Sequence, residues 1–231
     1  MAQPSHAPQP VHHLLLAGAS GLVGGAALRL ALAAPQTRTV HALVRRPLTG
    51  VADARLQMHR VDFAALPATA LAPAPDAALC ALGTTIRQAG SQAAFRAVDH
   101  DAVLAFAAAA QQAGVQRLAV VSALGADARS PVFYNRVKGE TEAALQAMGF
   151  RCLVIARPSL LAGDRSALGQ PERAGERIGL AISRPLGALI PARWRPVEAA
   201  VVARALLRAL ADAAPGVQVM ESDELQRRGR A

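Results

Sequence analysis

The sequence predicts an α/β protein built on a doubly wound parallel sheet. Short apolar runs alternate with helical segments up to residue 157, and a glycine-rich turn separates the first strand from the first helix. Such alternation gives a parallel sheet with right-handed crossovers. Apolar residues make up 52% of the 231 residues, enough to bury a large core. We expect a disordered tail over residues 1–10 and one domain over 11–231, with a nucleotide-binding core at 11–157 and a small C-terminal substrate lobe at 158–231.

Each element follows from its local pattern. Strands are expected where short apolar runs end at turn residues, at 14–17, 40–44, 56–61, 77–82, 118–121, 152–156 and 217–220. Helices are expected at 22–33, at 91–112 with Ser91 as N-cap, at 133–148 and at 197–211. Ligands of such sheets bind at the carboxyl ends of the strands, which here are Gly18, Arg45, Asp62, Gly83, Ser122 and Pro158.

A glycine-rich turn directly follows the first strand and opens the first helix. Its residues are Gly18-Ala19-Ser20-Gly21-Leu22-Val23-Gly24. In a turn of this kind the first glycine permits the tight bend, the second lets the backbone approach a pyrophosphate, and the third lets the helix pack on the strand. Amide groups at the start of the helix then bind phosphate. We expect a dinucleotide on this turn, the alternative being a helix-packing face of small residues.

The residues after the second and third strands indicate which dinucleotide binds. A site that prefers NAD carries an acid after the second strand, whereas this chain has Arg45 and Arg46 there. Two planar, permanently charged guanidinium groups suit a 2′-phosphate, so NADP(H) is expected, with two solvated arginines as the alternative. Asp62 is expected either to bind the adenine amino group or to cap the next short helix.

A tyrosine and a lysine stand four residues apart, at Tyr134 and Lys138, each the single residue of its type in the chain. Residues i and i+4 share a helix face. A free phenol has a pKa of about 10, and a nearby ammonium favours the phenolate form, so the pair suits proton exchange with a substrate oxygen. Ser122, at a strand end, is a candidate to hold a substrate carbonyl. The alternative is a structural helix with a packed tyrosine and a surface lysine.

The glycine turn, Ser122 and the YxxxK helix resemble the short-chain dehydrogenase/reductase superfamily. Further segments resemble its atypical NAD(P)-binding group, which includes Tat-interacting-protein-like oxidoreductases and bacterial epimerase-like proteins; they are 80–90, 121–127, 138–140 and 157–161. The resemblance covers nearly the whole chain after residue 11. It implies a Rossmann fold, NADP(H) as cofactor, Tyr134 as acid/base, Lys138 as ribose anchor and Ser122 as orienter. It also implies that Gly83 and Thr84 line the dinucleotide.

One position departs from the pattern of the family. Many catalytic members carry an asparagine in the helix before the fifth strand, where this chain has Val98-Asp99. An aspartate cannot donate an amide hydrogen bond, so a proton relay of the usual kind is in question. We therefore weigh three functions: an NADP(H)-dependent oxidoreductase of a carbonyl or alcohol, a redox-sensing regulator that binds NADP(H) without catalysis, and a sugar-nucleotide epimerase.

Charge and composition indicate which kinds of ligand and macromolecule this protein binds. The formal net charge is +9, but the basic excess after Arg151 is spread out without interleaved aromatic residues, which indicates a solvated face and no specific nucleic acid. The histidines show no metal-ligand spacing, and Ser122 lacks the flanking glycines of a hydrolase elbow. We see no secretory signal or membrane span and expect a cytoplasmic protein with a small-molecule substrate, of undetermined oligomeric state.

Overall fold

A computed structural model describes residues 8–66, 71–162 and 191–230. Its centre is a seven-stranded sheet in the order β3-β2-β1-β4-β5-β6-β9, in which every neighbouring pair is parallel. The strands are β1 (His13–Ala17), β2 (Thr39–Val44), β3 (Leu56–Arg60), β4 (Ala77–Cys80), β5 (Arg117–Val121), β6 (Cys152–Arg157) and β9 (Gly216–Glu221). A separate parallel pair is formed by β7 (Leu161–Ala162) and β8 (Val197–Glu198). The expected doubly wound α/β fold is confirmed.

Helices cover both faces of the sheet. They are α1 (Leu22–Ala33), α2 (Ile86–Ala89), α3 (Gln92–Arg96), α4 (Ala102–Gln112), α5 (Phe133–Ala147), α6 (Ala199–Asp212) and α7 (Ser222–Arg230). A π-helical segment, Ala97–Asp101, joins α3 to α4, so the long helix predicted over 91–112 is interrupted. Its predicted cap is present, because the Ser91 hydroxyl accepts from the Ala94 amide at 3.1 Å.

Two apolar clusters fill the space between the sheet and the helices. On one face α1 and α6 pack together, and their small residues, such as Ala27 and Ala205, let the two backbones approach closely. On the other face α4 and α5 cover the sheet, with Phe106 and Leu145 fully buried. The sheet thus forms the middle layer of three.

The last part of the chain returns to the central layers. Strand β9 pairs with β6, Cys152 opposite Gly216, and α6 lies against α1. These two elements thus join the central layers. The substrate lobe at 158–231 stays a prediction, because residues 163–190 lie outside the described part of the chain. Helix α7 was not predicted. Of the predicted disordered tail, residues 1–7 also lie outside the described part, whereas Gln9 donates to the Ala211 carbonyl at 2.7 Å.

A pair of histidines lies inside the sheet. His41, in β2, is fully buried, and its Nε2 lies 2.8 Å from the Pro73 carbonyl. A carbonyl only accepts hydrogen bonds, so Nε2 carries the proton, and Nδ1 accepts from Nε2 of His59 at 3.1 Å. Burial lowers the pKa of His41, against the opposing effect of the Pro73 carbonyl; burial also lowers the pKa of His59.

Within the described ranges, no helix combines the length and apolar character needed to cross a bilayer. Cys80 and Cys152 are buried free thiols, as expected from their apolar surroundings. Burial raises the pKa of Cys80 to about 12, so this thiol is neutral at ordinary pH.

Candidate functional site

The glycine turn is closely packed on two sides. Gly18 has a φ of +84°, a backbone conformation that favours glycine, and a Cβ there would overlap the Ala81 carbonyl. A Cβ on Gly24 would overlap the Gly18 carbonyl. These two glycines therefore let the turn lie against the loop after β4 and let α1 pack on the turn.

The middle glycine has more room. A Cβ on Gly21 would come within 4 Å only of the Gly18 carbonyl, at 3.3 Å. Gly21 is also the N-cap of α1 and supplies no side-chain cap, so its helix start suits phosphate bound by the backbone amides of Leu22 and Val23. Exposed Ser20 borders the same turn. The cradle left by the missing side chain fits a pyrophosphate.

The residues expected to select the dinucleotide lie at the same edge of the sheet. Arg45 and Arg46 are exposed directly after β2. Asp62 follows the adjacent strand β3, is exposed and accepts from the Ala64 amide at 2.9 Å. The capping interpretation of Asp62 is thus observed, and adenine binding by this residue stays a prediction.

Lys138 forms a buried ion pair that the spacing alone did not reveal. Its Nζ lies 2.8 Å from Oδ1 of Asp99, and the two side chains are 6% and 1% exposed. The other oxygen of Asp99 accepts from the Thr84 amide, also at 2.8 Å. A Cβ on Gly83 would lie 3.8 Å from Lys138 Nζ, so this lysine lies beside the turn that follows β4.

The surroundings of Lys138 keep it charged. Burial by itself lowers the pKa of an ammonium, but the Asp99 carboxylate and Tyr134 oppose this, and the pKa of Lys138 is held above its ordinary value of 10.5. The lysine is consequently an ammonium throughout the range in which enzymes are assayed.

Tyr134 occupies the preceding turn of α5 on the same face as Lys138. The side chain is half-buried, and its ring packs against Phe95 with centroids 5.3 Å apart. Phe95 also makes an edge contact with Phe133 at 5.8 Å. These aromatic contacts fix the ring plane one helical turn from the Lys138 ammonium.

Ser122 is buried after β5, and its hydroxyl donates to Oε1 of Glu142 at 2.5 Å. Glu142 is in turn bound by Arg157, whose Nη2 lies 2.6 Å from Oε2, and Arg157 also contacts Glu221 at 3.2 Å. The hydrogen bond to Glu142 raises the pKa of Arg157. The serine proton is thus directed inward, which leaves the oxygen of Ser122 as an acceptor.

Sequence reasoning identified the YxxxK pair but did not identify the side chains that bond to Lys138 and Ser122. Glu142 lies four residues after Lys138, so its helix face was readable, whereas its bond to Arg157 joins two elements of the fold. Across the ranges that the structure covers, no group of three or more His, Cys, Asp or Glu side chains is placed to hold a metal ion. The charged groups around α5 include two ion pairs, Lys138 with Asp99 and Arg157 with Glu142.

Comparison with known proteins decides the family. A family described as NAD(P)H-binding matches residues 18–185. The chain belongs to this NAD(P)H-binding family. The matched range includes the glycine turn, the Gly83–Thr84 turn and the whole of α5, so the expected NAD(P)H-binding character of the chain is confirmed.

The relatives are fungal proteins. The chain is 34% identical to "Protein FMP52, mitochondrial" of Coccidioides immitis over 162 residues, which are 65% of this chain and 66% of that protein. It is 32% identical to the Neurospora crassa protein of the same name over 235 residues, or 93% of this chain and 94% of that protein. The expectation of a cytoplasmic protein is wrong against these relatives, which are named as mitochondrial. They carry the name FMP52, not a Tat-interacting name.

A solved structure confirms the fold. MoeE5 in complex with UDP-glucose and NAD matches with a TM-score of 0.67 and 18% identity, covering 90% of this chain and 74% of that chain. At this identity the match shows the architecture alone.

Proposed function

We propose that this protein is an NADP(H)-dependent oxidoreductase of the atypical short-chain dehydrogenase type, acting on a carbonyl or alcohol substrate. The observation that carries the proposal is the placement of Tyr134 and Lys138 on one face of α5, with the lysine buried as an ammonium. A structural lysine at a surface would not need this burial. The charge is kept one turn from the phenol, where it assists proton transfer.

Each residue then has a defined task. NADPH, when bound, supplies the hydride. The Tyr134 hydroxyl gives a proton to the substrate oxygen or takes one from it, and the Lys138 ammonium binds ribose hydroxyls. Ser122 orients the substrate carbonyl. To do so it must turn its proton away from Glu142, to which it donates in this structure, because a carbonyl oxygen only accepts hydrogen bonds. Arg45 and Arg46 bind the 2′-phosphate.

One observation favours a second candidate, the NADP(H)-binding regulator without turnover. The Lys138 ammonium already has a carboxylate partner at 2.8 Å, so the lysine is satisfied without substrate. A sensor would use the same cofactor turn and would not depend on the hydroxyl of Tyr134.

The deciding experiment compares wild type with Tyr134→Phe. NADPH oxidation is measured against a panel of aldehydes, ketones and quinones, and NADPH affinity is measured on both proteins. We expect turnover to fall by roughly 10²–10⁴-fold, the usual contribution of a positioned acid or base, with NADPH affinity unchanged. Phenylalanine keeps the ring that packs against Phe95, so a loss of turnover reports the missing hydroxyl and not a loss of packing. A substrate whose turnover is indifferent to Tyr134→Phe would overturn the mechanism.

A further inference from the structure

Asp99 lies in an unusual stretch of backbone. It belongs to the π-helical segment Ala97–Asp101, and π-helical turns are frequently found at functional sites. Here the wider turn places the Asp99 side chain between α5 and the turn after β4. The Thr141 hydroxyl, also on α5, shares its one proton between two main-chain carbonyls, that of Val137 at 2.8 Å and that of Asp99 at 3.1 Å. Helix α5 therefore contacts Asp99 at its backbone through Thr141 and at its side chain through Lys138.

Two groups from different elements, an ammonium in an ion pair and a backbone amide in a hydrogen bond, meet this one carboxylate. The Lys138 ammonium approaches Oδ1 and the Thr84 amide approaches Oδ2, both at 2.8 Å. An asparagine presents one accepting oxygen and one donating nitrogen, so it would satisfy only one of the two donors. The departure of this chain from the asparagine of the family therefore has a geometric reason: both neighbours are donors.

We propose that Asp99 is a positioning residue that fixes the Lys138 ammonium and the Gly83–Thr84 turn to each other as one unit of the cofactor site. The inference rests on the proposed function, because it assigns both partners to the dinucleotide. The Lys138 ammonium and the Gly83–Thr84 turn are then already in place relative to each other when the cofactor binds. A buried pair of this kind is costly to desolvate and is poor evidence of added stability, which directs attention to its part in the site.

Asp99 also determines the pH range over which Lys138 stays charged. The titratable groups around Lys138 are Asp99 from the π-helical segment, Tyr134 and Glu142 from α5 and the thiol of Cys80 from β4. Asp99 supplies the carboxylate in contact with Lys138, since Glu142 is paired with Arg157 and burial keeps the Cys80 thiol neutral. Without Asp99, burial dominates and the pKa of Lys138 falls, so the ammonium would be lost at alkaline pH.

The test is NADPH binding, measured by calorimetry at pH 7 and pH 9. Asp99→Asn is compared with Asp101→Asn, which removes the same charge from an exposed position two residues away. We expect Asp99→Asn to weaken NADPH binding by about tenfold at pH 7 and by more at pH 9, and Asp101→Asn to stay within about twofold of wild type at both.

A double-mutant cycle isolates the path through Lys138. Adding Asp99→Asn to Lys138→Met should weaken NADPH binding by less than about twofold, because the Lys138 ammonium is already gone and the side-chain oxygen of asparagine can still accept from the Thr84 amide. An equal loss in both backgrounds, or no loss in either, would overturn the proposal. If Asp99→Asn does not fold, Asp99→Glu serves instead: it keeps the charge but displaces the carboxylate, so binding should weaken equally at both pH values, and binding equal to wild type would reject the role.

The readout separates this inference from the proposed function. Binding that depends on Asp99 together with turnover that ignores Tyr134→Phe would retain the positioning role and reject the reductase. Turnover that depends on Tyr134 with binding indifferent to Asp99 would do the reverse. A wild-type protein that does not bind NADPH rejects both.

Discussion

At the scale of single residues, the choice of dinucleotide depends on two guanidinium groups. Arg45 and Arg46 are exposed at the carboxyl end of β2, where a 2′-phosphate would lie. We expect NADPH to bind at least several-fold more tightly than NADH. Arg45→Ala should weaken NADPH by about tenfold, the loss of one charge-assisted hydrogen bond, and NADH hardly at all.

A matched arginine controls for charge. Arg38 is exposed immediately before the same strand, at its opposite end, so Arg38→Ala changes the net charge equally but lies away from the ligand edge. Calorimetry should show both nucleotides unaffected by Arg38→Ala. Equal affinity of the wild type for NADPH and NADH would contradict the assignment of Arg45 and Arg46.

Single-residue chemistry was predictable where it depends on spacing along one helix, and not where it depends on packing. Tyr134 and Lys138 were identified because i and i+4 positions share a face. Asp99 was noticed only as a departure from the family. Its two donors come from Thr84 and Lys138, 15 and 39 residues away along the chain, and no local pattern contains that geometry.

At the scale of elements, two glycines of the glycine turn are expected to serve different purposes, one in packing and the other in cofactor binding. A side chain on Gly24 would overlap backbone, whereas a side chain on Gly21 would meet one atom at 3.3 Å. We expect Gly24→Ala to destabilise the protein by about 1–3 kcal/mol, as overpacking does. Gly21→Asp should abolish NADPH binding and leave the fold intact, because it places bulk and negative charge against the pyrophosphate.

Denaturant unfolding and NADPH titration of the two variants check this contrast. Gly21→Ala is the control, since Gly21, like Gly24, has no positive φ and an added Cβ there meets only the Gly18 carbonyl, at 3.3 Å; it reports the effect of an added methyl group without the backbone overlap. Normal NADPH binding by Gly21→Asp would show that the turn is only a packing feature.

The elements themselves were predictable when their apolar pattern was strong. Helix α1 begins and ends at the expected residues, and the expected strands of the central sheet are present within one or two residues of their predicted ends. Helix α7 was missed because its sequence is mainly polar. It is held by contacts with α6, where Gly229 fits against the backbone of Val201, and such a contact cannot be seen in one segment.

At the scale of the whole molecule, the histidine pair makes stability depend on pH. Burial holds the pKa of His41 below its ordinary value of 6.5. The unfolded chain therefore binds a proton near pH 6.5 that the folded chain does not bind until lower pH. The contribution of His41 to stability is present above about pH 6.5 and is lost as pH falls towards the folded-state pKa.

We expect the Tm of wild type to fall on acidification from pH 7.5 to 5.5, and His41→Gln to reduce that fall by about 2–4 °C, the shift that about 1 kcal/mol produces in a domain of this size. His12→Gln is the control, because His12 lies outside the pair and bonds the Gln36 carbonyl. Identical Tm falls for wild type and His41→Gln would show that His41 does not couple folding to protons.

The all-parallel order of the central sheet governs how the chain must fold. No neighbouring pair of these strands is joined by a hairpin, since parallel strands need long crossovers, and β9 pairs with β6 across the interval from Cys152 to Gly216. Contacts so distant along the chain form slowly. During synthesis β6 is an open edge until β9 arrives, and an open edge invites pairing with other chains. Nascent chains that stall before residue 216 should therefore be the ones that require chaperones.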